Sequence, residues 1–346
     1  MENCRIKKTL NTVRICGCTP NENAIKVSNI VYADKPPNAI ILVAEEKWQD
    51  AFAATPLIHF PRNAPILYTP KTYLDPLTVE QIFKLNPTGV DGVKVFIVGE
   101  FPYFIEEQLN MLGLRTKRIG GGNFYETAAR VAEYLKYPPN IMVISGEDYR
   151  EGLSTCAYAA HSGDVILFSD KNQLPWFTGA VIQSTENPNV FIVGSTNTIS
   201  EKVEEEIRKL NVKFVDRISG STPYEVSVNF AKYKSPNGQF GWGRNYRDGH
   251  AFTFTSIYSP YDSASSAPFG HLGKHTPILS VDPNNLPEVI KHYIESIKPI
   301  PQQEPKPPFM HGWIIGCDNT ISYDVQIEIE RALSIDEAHM SMDYLH

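Results

Sequence analysis

The sequence predicts an α/β fold of three repeated small units, each with a parallel sheet flanked by helices. Two observations carry this: three short markers recur in the same order in three segments, and within each segment short apolar runs alternate with helical patterns. The first marker is RICG at 14 to 17, RIGG at 118 to 121 and RISG at 217 to 220, in steps of 104 and 99 residues. The second is APILYT at 64 to 69, DVILFS at 164 to 169 and TPILSV at 276 to 281. The third is VFIVG at 95 to 99 and again at 190 to 194, and more loosely GWIIG at 312 to 316. These markers divide the chain into units at 1–116, 117–215 and 216–346.

The elements of a unit follow in order. After R-I-x-G comes an amphipathic helix, clearest in FYETAARVAEYL, where Ala128, Val131, Ala132 and Leu135 recur at helical spacing. A buried strand follows: AIILVA, IMVISG or AFTFTS. Then comes a helix of small residues, DAFAATPLIHF, EGLSTCAYAAH or YDSASSAPFG. The P-I-L strand, a polar helix and the V-F-I-V-G strand come next. The closing helix is best marked in SEKVEEEIRKLNV, with Ser200 as N-cap and acids in the first turn. Short apolar runs between helices mean a parallel sheet covered on both faces. The third unit is longer: Val95 to Val190 spans 95 residues but Val190 to Gly312 spans 122, a surplus of 27. Two loops, 234–250 and 298–312, account for it and are expected to lie exposed.

Composition narrows the class. At 346 residues with 42% hydrophobic and 21% charged side chains, the chain is soluble, globular and long enough for several cores. A formal net charge of −7 argues against a nucleic-acid partner. There is no run of about 18 apolar residues, so membrane insertion is not expected, and the N-terminus MENCRIKKTLNTVRICG lacks the apolar stretch of a secretory signal. Cys4, Cys16, Cys18, Cys156 and Cys317 form an odd set without C-x-x-C, which predicts five thiols and no bridge. His271 and His275 have metal-ligand spacing only on a helix, which Gly270 and Gly273 disfavour, so no metal is expected. Gly120, Gly121 and Gly122 suggest a phosphate cradle, but the equivalent CGC and SGS keep one glycine each. A tight turn is the better reading, and no cofactor is expected. No H-E-x-x-H, G-x-S-x-G or Walker motif points to catalysis.

On R-I-x-G followed by YETAA at 125 to 129, GED with its acid-small-apolar run at 146 to 153, P-I-L and V-F-I-V-G, the chain resembles the cell wall binding repeat type 2 family of clostridial-type surface proteins. The resemblance implies a non-catalytic module on the cell surface or outside the cell. It also implies three repeats about a pseudo-threefold axis, with an anionic cell wall polymer in the grooves between them. Carried over to this sequence, the polymer contacts are Arg14, Arg118 and Arg217 with Ile66, Leu67, Ile166, Leu167, Ile278 and Leu279. The residue after each Ile-Leu pair is Tyr68, Phe168 or Ser280, and the position where the family pattern has Arg before Y-E-T-A holds Pro20, Phe124 or Pro223.

Two readings of the repeated arginines remain open. Either they meet the polymer, or each pairs with a carboxylate at a unit interface, with Asp50, Glu151 and Asp262 as candidate partners; the second is favoured. Phe240, Trp242, Arg244, Tyr246 and Arg247, on a glycine-rich loop, are the residue types of interface hot spots. They predict self-association or a partner protein, with those contacts outweighing polymer contacts. The functional alternatives are a wall-binding surface protein, a self-assembling layer or filament subunit, and a cytoplasmic α/β protein binding a nucleotide or phosphate.

Overall fold

The computed structural model describes residues 7–8, 10–247, 249–299 and 310–335. The first unit runs β1 (Lys7–Lys8), β2 (Thr12–Ile15), α1 (Pro20–Val31), β3 (Ile40–Ala44), α2 (Trp48–Ala54), β4 (Ile66–Thr69), α3 (Pro76–Leu85), β5 (Val95–Val98) and α4 (Tyr103–Met111). The second repeats it as β6 (Thr116–Ile119), α5 (Phe124–Tyr134), β7 (Asn140–Ser145), α6 (Thr155–Ser162), β8 (Val165–Ser169), α7 (Trp176–Ser184), β9 (Asn189–Val193) and α8 (Glu201–Arg208). The third is β10 (Phe214–Ile218), α9 (Pro223–Lys232), β11 (Ala251–Ser256), α10 (Pro260–Ser266), α11 (Pro268–His271), β12 (Ile278–Val281), α12 (Glu288–Ser296), β13 (His311–Ile315) and α13 (Tyr323–Leu333).

These strands form three parallel sheets in the orders β4-β3-β5-β6, β8-β7-β9-β10 and β12-β11-β13-β2, with β1 added antiparallel beside β2. The R-I-x-G strand is the fourth strand in every case, and it completes the sheet of the preceding unit. The register repeats: Ile119 pairs Val98, Ile218 pairs Val193, and Ile15 pairs Ile315. The N-terminal β2 thus completes the last sheet, and the chain closes on itself as a ring. The sheets run across the sequence divisions at 116 and 215 rather than ending there.

The helix after each R-I-x-G strand starts on the same cap. Thr19, Asn123 and Thr222 accept from the backbone N–H of Glu22, Glu126 and Glu225 at 3.2, 2.9 and 3.2 Å. Each glutamate in turn accepts from the N–H just before the cap residue, Cys18 at 2.8 Å, Gly122 at 2.9 Å and Ser221 at 2.7 Å. Amides of the kind a phosphate cradle would use are therefore taken by the chain's own carboxylates.

The small-residue helices meet at the centre. α6 packs against the 3-10 turn Thr55–Ile58 and against α11, and α10 packs against α2 and α6. Alanine and serine allow this approach, and Gly270 marks its tightest point: a Cβ there would lie 2.5 Å from the Ala157 carbonyl oxygen. Gly270→Ala is expected to destabilise by about 1–3 kcal/mol, read as a lower urea midpoint at unchanged slope. An unchanged midpoint would mean the two helices can separate at no cost.

Two sequence expectations fail here. Cys16 and Cys317, 301 residues apart, form a disulfide. It joins the ends of the paired strands β2 and β13, a proximity that exists only once the ring closes. Cys156 is a buried thiol, and Cys4 lies outside the described residues. The loop at 234–250 is not an exposed docking arm either. Phe240 is fully buried and stacks on Phe191 at 3.6 Å, and Trp242, 8% exposed, packs against Tyr158 and stacks on His161 at 4.9 Å. Gly241 serves close approach, since a Cβ would come within 2.4 Å of the Tyr233 carbonyl oxygen. Arg244 is half-buried and donates to the His275 carbonyl at 3.1 Å, leaving Tyr246 and Arg247 exposed. Of the loop at 298–312, residues 300–309 lie outside the described part.

Candidate functional site at the unit junctions

Each sheet has a topological switch point, between β3 and β5, β7 and β9, or β11 and β13, where ligands of such folds ordinarily bind. Here the crevice is filled by an acid of the following small-residue helix. The Asp50 carboxylate lies so close to Gly99, at the end of β5, that a Cβ on that glycine would meet Oδ2 at 2.4 Å. Glu151 accepts from the Ser195 N–H at 2.8 Å, from the Ser195 hydroxyl at 2.9 Å, and from Thr198. Asp262 accepts from the Asn23 amide at 2.9 Å. Positive φ at Gly99 (92°), Gly194 (144°) and Gly316 (116°) turns the chain away after each V-F-I-V-G strand. Glu151 thus secures the loop after β9 and Asp262 the start of α1, while Asp50 lies against Gly99, and among the described residues none of the three pairs with an arginine.

The arginines pair elsewhere. Arg118 binds Glu106, and Arg217 binds Glu204 at 2.8 Å, in each case on the helix just before the R-I-x-G strand. Arg14 is 2% exposed and donates to Gln326 Oε1 and to the carbonyls of Gly316, Ile321 and Ser322 at 2.6–3.1 Å. Ile66, Leu67, Ile166, Leu167, Ile278 and Leu279 are all buried in strands at 0–1% exposure. None of these six apolar side chains reaches the surface, and Arg14 is enclosed with them. Tyr68, Phe168 and Ser280 are buried as well.

Past the strand ends, each junction between units presents aromatic side chains. Between the first and second units, Trp48 meets Tyr149 at 5.5 Å and Phe168 at 5.9 Å, edge to face, and Phe124 packs on Phe168 at 5.4 Å. Gln49 donates to the Gly146 carbonyl at 3.1 Å, and the Tyr125 hydroxyl donates to Asp170. Between the third and first, the Tyr68 hydroxyl donates to the Tyr261 carbonyl at 2.7 Å with the rings 5.4 Å apart. Between the second and third, burial raises the Tyr224 hydroxyl's pKa, reinforced by Asp282, while Arg150 holds Asp148 at 2.5 Å beside Tyr149. Tyr258 is 61% exposed, whereas Trp48, Tyr125, Tyr149, Tyr224 and Tyr261 are half-buried. Burial also raises Glu45, with Asp75 and Glu46 adding to it. The sequence reading missed these aromatics because each stands outside the repeated tetrads; the signal was Trp48, Tyr149 and Tyr261 recurring within two residues of Asp50, Glu151 and Asp262.

Asp262 gives a pH signature. Burial pushes its carboxyl up to about 6, against bonds from Asn23 and Ser259 that lower it. A folded pKa above the unfolded one of 3.8 contributes stability below pH 3.8 that is lost as pH rises through about 6. The gap corresponds to roughly 3 kcal/mol. Asp262→Asn keeps an acceptor for Asn23 and cannot ionise. Its stability relative to the natural chain should therefore rise between pH 4 and pH 7, measured by urea unfolding across that range. Taking the difference cancels the opposite drift of His161 and His271, which burial lowers to about 4. A difference that stays flat with pH would mean Asp262 is not buried as a neutral acid.

Residues 118–204 match the family model described as Cell wall binding domain 2 (CWB2). The match covers 87 of the 346 residues, all of them in the second unit. Among solved structures, Cwp8 from Clostridium difficile superposes with a TM-score of 0.74 at 22% identity, over 94% of this chain and 52% of that one. The three-sheet fold is thus shared with that protein. The Amidase enhancer of Bacillus subtilis (strain 168) is 32% identical over 225 residues, 64% of this chain and 29% of that protein. The N-acetylmuramoyl-L-alanine amidase LytC of the same organism is 31% identical over 222 residues, 63% of this chain and 42% of that protein. The chain spans less than half the length of either relative.

Proposed function

We propose that the protein is a non-catalytic wall-binding module that holds saccharide polymer of the cell wall at the junctions between its units. The observation that carries this reading is the recurrence, at the ends of the parallel strands, of partly exposed aromatic faces beside polar groups. Such faces stack on sugar rings while neighbouring polar groups fix orientation. Glu151 and Asp262, two of the acids nearest the crevices, are engaged in holding the fold, which supports binding rather than chemistry. The Cys16–Cys317 disulfide supports a place outside the cytoplasm, since such bridges persist in oxidising compartments. With Phe240 and Trp242 buried, the 234–250 loop gives no support to self-association.

The test is co-sedimentation with purified Gram-positive cell walls. The natural chain is expected to pellet with them, and Tyr149→Ala/Tyr224→Ala/Tyr258→Ala to need at least about tenfold more wall for half-binding, as loss of stacking contacts worth a few kcal/mol together requires. Met111→Ala, an exposed position on α4, is the matched control and should bind as before. Binding by the triple variant equal to that of the control would overturn the junction site.

A further inference from the structure

At the opposite end of the first sheet, where its strands begin, lies a cleft of about 320 Å³ lined by Val90, Asp91, Val93, Arg115, Thr116, Lys117 and Tyr134. Its size is at the lower end of small-ligand sites, roughly 300–1,000 Å³. Three segments build it. One wall is the tight turn closed by the Val90–Val93 bridge, with positive φ at Asp91 (52°) and Gly92 (80°). The second is the start of β6, and the third is the C-terminal turn of α5, which brings Tyr134 across from the second unit.

The lining of this cleft concentrates positive charge. Elsewhere Arg118, Arg130, Arg150, Arg208 and Arg217 each hold a carboxylate. Among the described residues, Arg115 and Lys117 form no ion pair. The Lys117 ammonium stands 5.5 Å from the centre of the Tyr134 ring, and the guanidinium of Arg62 stands 5.9 Å from the same ring. Arg62 is buried, donates to the Leu57 carbonyl at 2.9 Å and bonds the Tyr134 hydroxyl, also without a carboxylate among the described residues. Gly92 makes room for Arg115: a Cβ there would meet Nη1 at 2.7 Å. Asp91 is the one acid in the lining, and the Thr116 hydroxyl is turned to Glu106 at 3.0 Å. Two cations at the Tyr134 ring, with Arg115 in the same lining, make a positive site against the field of a chain of net charge −7.

We infer that this cleft binds a single sugar-sized anion, a hexose carrying a phosphate or carboxylate. The anionic group lies between Arg115, which offers a forked pair of N–H donors, and Lys117, a point charge. The sugar body rests against Val90, Val93 and the edge of Tyr134. This site is separate from the junction face and stands whether or not that face binds polymer.

Calorimetry on the intact chain tests it, with glucose 6-phosphate, galacturonate, glucose and inorganic phosphate as probes at low salt. At least one anionic sugar is expected to bind with 1:1 stoichiometry, at least tenfold tighter than glucose or inorganic phosphate. Whichever of the two wins tells phosphate from carboxylate. Arg115→Gln/Lys117→Gln should weaken it at least tenfold, with the melting temperature unchanged because both side chains are exposed. The inference is overturned if neither anionic sugar binds, if the double variant binds as well as the natural chain, or if inorganic phosphate alone binds as tightly. Wall sedimentation by the double variant separates the two sites: retained sedimentation with lost sugar binding is the expected pattern. Loss of both from a folded variant would merge this cleft with the wall-binding surface and overturn its independence.

Discussion

Reducing the Cys16–Cys317 disulfide should lower the stability of the protein more than any single surface change. The bridge closes a loop of 301 residues, nearly the whole described chain. In the chain-entropy account, a loop of that length constrains the unfolded state by about 6 kcal/mol. For a chain of this size that corresponds to a fall of roughly 8 °C in melting temperature. Its position also gives it a structural effect that loop length does not count. β2 is the strand that turns three linked sheets into a closed ring, and it is held to β13 by only a short ladder from Gly312 to Ile315. Without the bridge, β2 should fray first, exposing the edge of the third sheet. Scanning calorimetry with and without reductant, repeated on Cys317→Ser, checks this. The variant should melt with the reduced natural chain, and hydrogen exchange should show loss of protection at 12–15 before the rest of the sheet. Identical melting of oxidised and reduced chains, or a peptide map without a linked Cys16–Cys317 pair, would refute it.

The repeat was legible in the sequence because each unit solves the same local problem with the same residues. A buried parallel strand must be apolar on both faces, so AIILVA, IMVISG and VFIVG stand out wherever they occur. Phase was not legible. Repeat arithmetic gives the period, but nothing in RIGG says whether the strand pairs forward or back, because both partners are apolar strands. Had the phase been known, the pairing of Ile15 with Ile315 would have put Cys16 beside Cys317 and predicted the disulfide. The QFGWG segment was misread for a related reason. Glycines next to aromatics describe a mobile loop and a tightly apposed one equally well, and only the carbonyl of Tyr233 against Gly241 decides for apposition. The aromatic junction faces were hidden because their members come from different units and lie outside the repeated tetrads, and only Trp48, Tyr149 and Tyr261 recur beside the acids of the small-residue segments.

Arg14, Arg217 and Arg118 occupy the same register position in three sheets, opposite Ile314, Ile192 and Ile97, yet their replacement should have graded consequences. Arg14 is enclosed and joins β2 to the loop and helix after β13 through one side-chain amide and three carbonyls. Burial lowers its pKa, partly offset by Asp318 and Tyr323, so the charge is held mainly by neutral acceptors. Arg14→Ala leaves those four acceptors buried without their donor and opens a cavity beside the strand that closes the ring. A loss of about 3–5 kcal/mol is expected, the range for removing one member of a buried charged network. Arg217 keeps a carboxylate and one carbonyl in a half-buried setting, so Arg217→Ala should cost less. Arg118 and Glu106 are each more than one-fifth exposed, and solvent screening makes Arg118→Ala the mildest of the three. Urea unfolding of the three single variants should order the midpoints Arg14→Ala lowest and Arg118→Ala highest. Wall sedimentation below each midpoint supplies the second axis. If the arginines are structural ties, all three folded variants retain wall binding, and only stability separates them. Equal stability with graded loss of sedimentation would instead restore them as polymer contacts, and it would require Arg14 to leave its enclosed position to make one.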